Sequence, residues 1–272
     1  MNKFSTAFVS VLAGLSLSSV AIHADVLAVS DTVQAEFLPG WRDSNGTHVA
    51  GIKITLAPGW KTYWRAPGDA GIPPQLSLMG STNIQESVTH WPRPTVSSQN
   101  GLQVIGYSDQ VVFPLRITPK DASAPIDLTG ELQIGVCEDV CIPVTLSLSA
   151  KLPTTGQPVP VIKAALNDRA KTAKEAGVMS SKCTIAPIDD GFQITATINM
   201  PSAGGSEVGV FEIPDKTVWI SETDTKRQGK ALTLVADMVP EVGAPFLLDR
   251  SDIRISVLGQ DHMVDIRGCS RG

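Results

Sequence analysis

Hydrophobic and polar residues alternate over short segments along most of the chain, a pattern typical of strands that bury one face. In the first half these segments are separated by turn-forming sequences such as PG, PGDAG and NG. The segments are residues 33–37, 47–55, 75–78, 111–117, 127–134 and 144–148. Their number and short spacing predict a β-sandwich in this half of the chain.

The last part of the chain has the same organisation and predicts a second sandwich. Its segments are residues 183–186, 192–198, 207–212, 217–220, 231–235, 253–257 and 263–267. The connecting residues 153–180 contain a different pattern, in which six residues recur at helical spacing ahead of a stop signal at Gly177. The six are Ile162, Ala165, Leu166, Arg169, Ala170 and Ala173. They predict a short helix that packs between the two halves.

The predicted fold class is therefore all-β, with two immunoglobulin-like β-sandwich domains joined by a short helix. We expect the domains at residues 25–152 and 181–272. The length of 272 residues agrees with two domains. The 23 glycines and 19 prolines, spread along the chain, argue against a helical bundle. A hydrophobic content of 42% excludes a disordered chain, and a net charge of −5 without a basic block argues against nucleic-acid binding.

Residues 1–24 have the pattern of a secretory signal peptide. Lys3 precedes the uncharged residues 7–20, and the small residues Ala21 and Ala24 follow. A transmembrane anchor is the alternative, but four serines interrupt the apolar stretch. We therefore predict export to the periplasm, with a mature chain that starts near Asp25. Disulfides form and persist in such a compartment.

The four cysteines divide into a close pair, Cys137 and Cys141, and a distant pair, Cys183 and Cys269. The spacing favours one local and one long-range disulfide. In the chain-entropy model the short loop contributes about 2 kcal/mol and the long loop about 4.5 kcal/mol. An extended segment would hold residues 137 and 141 about 13 Å apart, too far for a disulfide, so the chain must turn sharply between them. We predict a structural disulfide at Cys183–Cys269 and a readily reduced one at Cys137–Cys141.

Aromatic residues are concentrated in the first half of the chain, together with the close cysteine pair. Four of the five tryptophans lie there: Trp41, Trp60, Trp64 and Trp91. They fill the core, shield a reactive sulfur or form a docking surface for another protein. Tyr63 and Tyr107 are better candidates for a site, because a buried tyrosine hydroxyl usually needs a hydrogen-bond partner.

Four motifs follow one another between residues 59 and 143: GWKTYWRAPGDAGIPP, HWPRP, GYSDQVVFPLRI and GVCEDVCIP. In this order they resemble the N-terminal periplasmic domain of the thiol:disulfide interchange protein DsbD and its relative ScsB. The resemblance covers roughly residues 33–150. The short CEDVC spacing is closer to ScsB-like sequences. Full-length members continue into membrane helices and a thioredoxin-like domain. We expect neither in this sequence, so the resemblance implies a free-standing periplasmic module here.

The resemblance also implies a function and a set of site residues. Cys137 and Cys141 would carry electrons between a membrane-embedded thiol reductase and periplasmic thioredoxin-like proteins, without a cofactor. Cys141, as the later cysteine, would form the intermolecular bond. A cap loop would shield the pair; we expect it around residues 99–104, with Leu102 in place of the phenylalanine of a DsbD cap.

Glu138 and Asp139 lie between the two cysteines and are negatively charged. They oppose thiolate formation, so we expect the pair to gain its full reactivity only when a partner docks. Two other functions stay open. The protein could be a non-catalytic periplasmic binding module with two structural disulfides. Alternatively, the two close thiols could bind Cu(I). The four histidines are scattered, which argues against a zinc site.

Overall fold

The computed structural model describes residues 29–68, 71–99, 101–241 and 248–272. In these residues nearly all regular structure is antiparallel β, arranged in four sheets, two in each half of the chain. The predicted all-β fold with two immunoglobulin-like sandwiches is confirmed. The predicted signal peptide, residues 1–24, lies outside the described residues.

The first sandwich begins with a four-residue helix, α1 (Val29–Thr32). Its strands are β1 (Val33–Arg42), β2 (His48–Leu56), β3 (Lys61–Gly68), β4 (Gln75–Ser77), β5 (Glu86–Thr89), β6 (Thr95–Gln99), β7 (Leu102–Ser108), β8 (Gln110–Thr118), β9 (Ile126–Cys137) and β10 (Cys141–Leu152). One sheet has the order β1-β2-β8-β5 and the other β10-β9-β3-β7-β6, with β4 also on β9. Side chains alternate along β9, so that Leu128, Leu132 and Ile134 face the core between the two sheets.

The second sandwich has shorter strands. They are β11 (Lys171–Thr172), β12 (Ser180–Ile188), β13 (Gly191–Asn199), β14 (Val208–Glu212), β15 (Trp219–Ile220), β16 (Asp224–Gln228), β17 (Ala231–Val239), β18 (Arg254–Leu258), β19 (Met263–Arg267) and β20 (Ser270–Arg271). The sheets have the orders β11-β19-β18-β14 and β15-β17-β13-β12-β20, with β16 also on β17. A disulfide joins Cys183, in β12, to Cys269, which precedes β20.

The predicted helix is shorter than its hydrophobic pattern and lies in a different place. It is α2 (Pro160–Asn167). Ile162 packs with Trp41, Val49 and Val112, on the face of β2 and β8 that is turned away from the core. The prediction that the helix lies between the halves is therefore wrong. The helix ends early because Lys171–Thr172 pairs in parallel with β19, which requires an extended backbone.

The two sandwiches contact each other directly. Leu258 and Met263 of the second sandwich belong to the hydrophobic core of the first. Beside them, the Arg65 guanidinium donates two hydrogen bonds of 3.0 Å to the Glu212 carboxylate and one of 2.9 Å to the Ser256 hydroxyl. Arg65 belongs to β3, so this interface is close in sequence to Tyr63.

Candidate functional site

The close cysteines face each other across the end of a β-hairpin. Cys137 is the last residue of β9, Cys141 is the first residue of β10, and the two are direct partners in the strand register. Residues 138–140 form the connecting loop, and the Cα atoms are 4.1 Å apart, with a disulfide between the sulfurs. The sharp turn that the sequence requires is thus the end of this hairpin.

The two sulfurs have different surroundings. Cys137 is 1% exposed, whereas Cys141 is exposed. The sheet order explains the difference: β9 lies between β10 and β3, and Cys137 is paired with Cys141 on one side and with Lys61 on the other. Cys141 begins β10, which is an edge strand. An attacking thiolate can therefore approach Cys141 and not Cys137.

Tyr63 provides the polar contact to the disulfide. Its hydroxyl donates a hydrogen bond of 2.8 Å to the Sγ of Cys137, and its oxygen lies 3.1 Å from the Sγ of Cys141. The tyrosine is 3% exposed, and burial raises its pKa above the ordinary value of 10.0. The hydroxyl is therefore protonated at neutral pH and available as a donor.

Two glycines make room for the Tyr63 ring. A Cβ atom at Gly71 would lie 2.5 Å from one ring carbon of Tyr63, and a Cβ atom at Gly135 would lie 3.2 Å from another. Gly135 is held in turn by Thr62, whose hydroxyl donates a 2.9 Å hydrogen bond to its carbonyl oxygen. The glycines of PGDAG and GVCEDVC are thus needed where the backbone approaches the ring.

The β6–β7 hairpin lies beside the cysteine pair, in the region where the resemblance implied a cap. The Gln99 side-chain amide donates a 2.7 Å hydrogen bond to the Glu138 carbonyl oxygen, and Lys61 donates one of 2.8 Å to the Gln99 side-chain oxygen. Val104 packs in a small cluster with Tyr63 and Cys137. Leu102 is 45% exposed. Gln99 and Val104 thus both contact the cysteine hairpin.

The other candidate residues are placed differently. Glu138 and Asp139 are exposed in the cysteine loop. Tyr107, in contrast, donates a 2.9 Å hydrogen bond to the Pro92 carbonyl oxygen and packs edge-on against Phe113. Burial raises the Tyr107 pKa well above the ordinary value of 10.0. The Tyr107 hydroxyl is thus held in the core of the sandwich and not at the disulfide.

Three of the four tryptophans of the first half pack in the core of the sandwich. Trp60 and Trp64 are buried there, and Trp91 packs against Phe113 with ring centroids 4.8 Å apart. Trp41 is buried under helix α2.

The sequence did not reveal the roles of three neighbours of the cysteine pair, Lys61, Thr62 and Gln99. Lys61 and Thr62 precede Tyr63 directly in the GWKTYW motif, which was the one available signal.

The described ranges of the chain contain no helix long and apolar enough to cross a membrane. Within the same ranges, no group of three or more histidine, cysteine, aspartate and glutamate side chains is arranged to hold a metal ion.

Comparison with known proteins places this geometry in a family. The fold matches the crystal structure of the N-terminal periplasmic domain of ScsB from Proteus mirabilis, with a TM-score of 0.68 and 21% sequence identity, over 89% of this chain and 95% of that one. No curated protein matches the sequence. The family model described as "Thiol:disulfide interchange protein DsbD, N-terminal" matches residues 24–153. That segment carries the cysteine hairpin, Tyr63 and the β6–β7 hairpin, and it belongs to the family of DsbD N-terminal domains.

Proposed function

We propose that the protein is a periplasmic thiol:disulfide exchange module that carries electrons through Cys137 and Cys141. Its partners are a membrane-embedded thiol reductase on one side and periplasmic thioredoxin-like proteins on the other. The observation that carries the proposal is the asymmetry of the pair: Cys141 is exposed at a sheet edge, and Cys137 is buried against a hydrogen-bond donor. Membership of the DsbD family supports this chemistry.

Reduction of the module proceeds in two exchange steps. A thiolate of the reductase attacks the Sγ of Cys141, a bond forms between these sulfurs, and the Cys137–Cys141 bond breaks so that Cys137 leaves as a thiolate. The second cysteine of the reductase then attacks the reductase sulfur of the mixed disulfide, and Cys141 is released as a thiolate. The reductase has lost two electrons as it forms a disulfide, and the module has gained them and is a dithiol once its two thiolates take up protons.

Delivery of the electrons uses the same steps in reverse. The Cys141 thiolate attacks a disulfide of the oxidised partner, and one partner sulfur leaves as a thiolate. Cys137 then loses its proton to solvent and attacks Cys141, which releases the second partner sulfur. The module is again a disulfide, and the partner is a dithiol once its thiolates take up protons.

Four neighbouring residues affect this chemistry. The Tyr63 hydroxyl is in place to stabilise the Cys137 thiolate whenever that sulfur departs, since hydrogen bonds to charged groups are stronger than those between neutral groups. Val140 exposes an apolar side chain in the loop next to Cys141, where a partner would dock. The negative charges of Glu138 and Asp139 lower the reactivity of the free module towards other thiolates.

A trapping experiment tests the proposal. Cys137→Ala leaves one thiol, at the exposed position 141, and Cys141→Ala leaves one at the buried position 137. The partner is a thioredoxin-like protein with a single active-site cysteine, activated as its mixed disulfide with thionitrobenzoate. We expect Cys137→Ala to release thionitrobenzoate and form a covalent complex, and Cys141→Ala to do neither over the same time.

The two variants keep the Cys183–Cys269 disulfide, so each is the control of the other for folding. If neither variant forms the complex, the exchange proposal fails, and both disulfides are structural. If Cys141→Ala forms it and Cys137→Ala does not, the assignment of Cys141 as the attacking residue is wrong.

A further inference from the structure

We propose that the second sandwich holds the β6–β7 hairpin against the cysteine pair, and that Gln103 and Glu222 are positioning residues that set the rate of thiol exchange at Cys141. The inference deepens the proposed function and rests on it for the role of the pair. It gives the second sandwich a task in the reaction, beyond support of the first.

The near half of the hairpin is anchored in the core by Ile105 and Tyr107 of β7, whereas its far half is weakly joined to the sheet. Strand β7 pairs regularly with β3 only at its end, from Ser108 to Gly106, and the register then shifts until Val104 pairs with Gly68. Strand β6 forms the outer edge of the sheet and is mostly exposed. Backbone segments with few ladder partners and little burial open at low free-energy cost. The far half of the hairpin therefore depends on side-chain contacts for its position.

Two consecutive residues of β7 connect the cysteine pair to the second sandwich. Neighbouring side chains on a strand point to opposite faces. Val104 packs against Tyr63 and Cys137, and Gln103 faces the other way, where its side-chain amide donates a 2.7 Å hydrogen bond to the Glu222 carboxylate. This contact holds β7 between the two sandwiches, with Val104 pressed onto the disulfide.

A second attachment lies at the base of the hairpin. Arg93 comes two residues before β6, and its guanidinium donates a 3.2 Å hydrogen bond to the Gly259 carbonyl oxygen and another to that of Gln260. Both carbonyls belong to the turn between β18 and β19. The second sandwich thus holds the hairpin at its base and along β7. At the tip, the hydrogen bond from Gln99 to the Glu138 carbonyl oxygen holds it to the cysteine loop.

The β6–β7 hairpin, packed against the cysteine pair, affects the chemistry at the buried sulfur of Cys137. When a thiolate attacks Cys141, Cys137 must leave as an anion, and a charge that is shielded from water is costly. Val104 keeps water from Cys137, and the single donor at Tyr63 offsets only part of that cost. Displacement of the hairpin admits water to the departing sulfur and accelerates the exchange. A partner that moves the hairpin as it docks would gain the same advantage.

The test is the rate at which dithiothreitol reduces the Cys137–Cys141 disulfide of the full protein, followed by alkylation and peptide mapping. We expect Glu222→Ala to raise the second-order rate constant about threefold to tenfold, the range set by loss of one hydrogen bond of ordinary net strength. Glu222→Gln keeps an acceptor oxygen for Gln103 and should retain the parental rate. Glu222→Ala made in a Gln103→Ala background should cause no further increase, because Gln103→Ala has already removed the contact between the two residues.

The equilibrium between the disulfide and dithiothreitol should be the same in all these proteins, since the hairpin alters the path and not the end states. Glu222 is exposed, and a thermal unfolding curve checks that each variant is folded. The inference is overturned if Glu222→Ala reduces at the parental rate or if Glu222→Gln behaves like Glu222→Ala. It is also overturned if the variants that are reduced faster show a matching change in the equilibrium between the disulfide and dithiothreitol. The proposed function is judged separately, by the trapping experiment with Cys137→Ala.

Discussion

The two disulfides of this protein are the same bond in opposite structural settings. Cys183–Cys269 joins residues 86 positions apart and links β12 of the second sandwich to the residue that precedes β20. Its Cys183 is fully buried. Cys137–Cys141 closes one hairpin turn and leaves Cys141 exposed on an edge strand. Under the proposed function, the position of a disulfide in the fold separates a stabilising link from an exchangeable one.

Each setting follows from the strand order. A long-range bond between strands of one sheet restricts the unfolded chain strongly, because it removes many conformations of the loop. A bond across a tight hairpin adds little, because the hairpin already holds the two residues in register. Opening the hairpin disulfide therefore lowers the free energy of unfolding less than opening the long-range one. An exchange site requires that its disulfide can open without loss of the fold.

The largest expected difference is in stability. Replacing both Cys183 and Cys269 by alanine should lower the free energy of unfolding by about 4.5 kcal/mol, the chain-entropy contribution of the long loop. Replacing Cys137 and Cys141 in the same way should lower it by about 2 kcal/mol. Urea unfolding of the two double variants beside the parent measures both values.

The two variants are matched, because each removes one buried cysteine and its partner. The contrast between the disulfides is wrong if the hairpin variant loses as much stability as the long-range variant. A larger loss in the hairpin variant would show that this bond has a structural role.

Much of the fold could be predicted from the sequence because alternation marks strands with one buried face. Strand β19 (Met263–Arg267) has the predicted bounds, and β13 differs from its predicted segment by one residue at each end. The pattern does not predict strand β3, because its residues 61–65 are buried or half-buried without regular alternation. Strand β6 was missed for the opposite reason: it is polar and exposed, and only its pairing with β7 makes it a strand.

The site could be predicted in part. The cysteines and Tyr63 were identified from spacing and residue type. Tyr107 fits the same description as Tyr63, yet its hydroxyl binds the Pro92 carbonyl oxygen; the partner of a buried hydroxyl depends on tertiary contacts that a sequence pattern does not contain. The link from Gln103 to Glu222 joins residues 119 positions apart, so no local pattern could have revealed it.

A smaller effect is expected at the donor to the disulfide. Tyr63→Phe removes the hydroxyl that binds the Sγ of Cys137, and the departing thiolate loses this stabilisation. A hydrogen bond to a charged group contributes about 1.5–3 kcal/mol, so reduction of Cys137–Cys141 by dithiothreitol should slow about tenfold or more. Quenched-flow alkylation with mass detection of the two thiols gives the rate constant.

Tyr107→Phe is the matched control. It removes a hydroxyl of the same type that is buried in the same sandwich and bonded to the Pro92 carbonyl oxygen. We expect it to lower stability without slowing the reduction, because loosening the hairpin can only speed it. If the two variants slow reduction equally, the effect of Tyr63 arises from packing and not from its contact with sulfur.

The smallest effect concerns the charges of the cysteine loop. Glu138 and Asp139 repel an approaching thiolate, but both are exposed and their field is weakened by water. Glu138→Gln combined with Asp139→Asn should therefore speed reduction by glutathione only about twofold to threefold at low salt. The Glu138 carbonyl that accepts the Gln99 hydrogen bond is unchanged in this variant. The rate constant is measured as a function of ionic strength.

The salt dependence distinguishes an electrostatic cause from a structural one. At about 1 M salt the Debye length is about 3 Å, so the difference from the parent should largely disappear. Asp189→Asn with Asp190→Asn makes the same charge change at the exposed β12–β13 turn of the second sandwich, and it should leave the rate unchanged. An acceleration that persists at high salt would instead mean that the amides alter the loop conformation. The Cys183–Cys269 disulfide lies in the other sandwich, so its reduction should not respond to Glu138→Gln with Asp139→Asn, which completes the contrast between the two bonds.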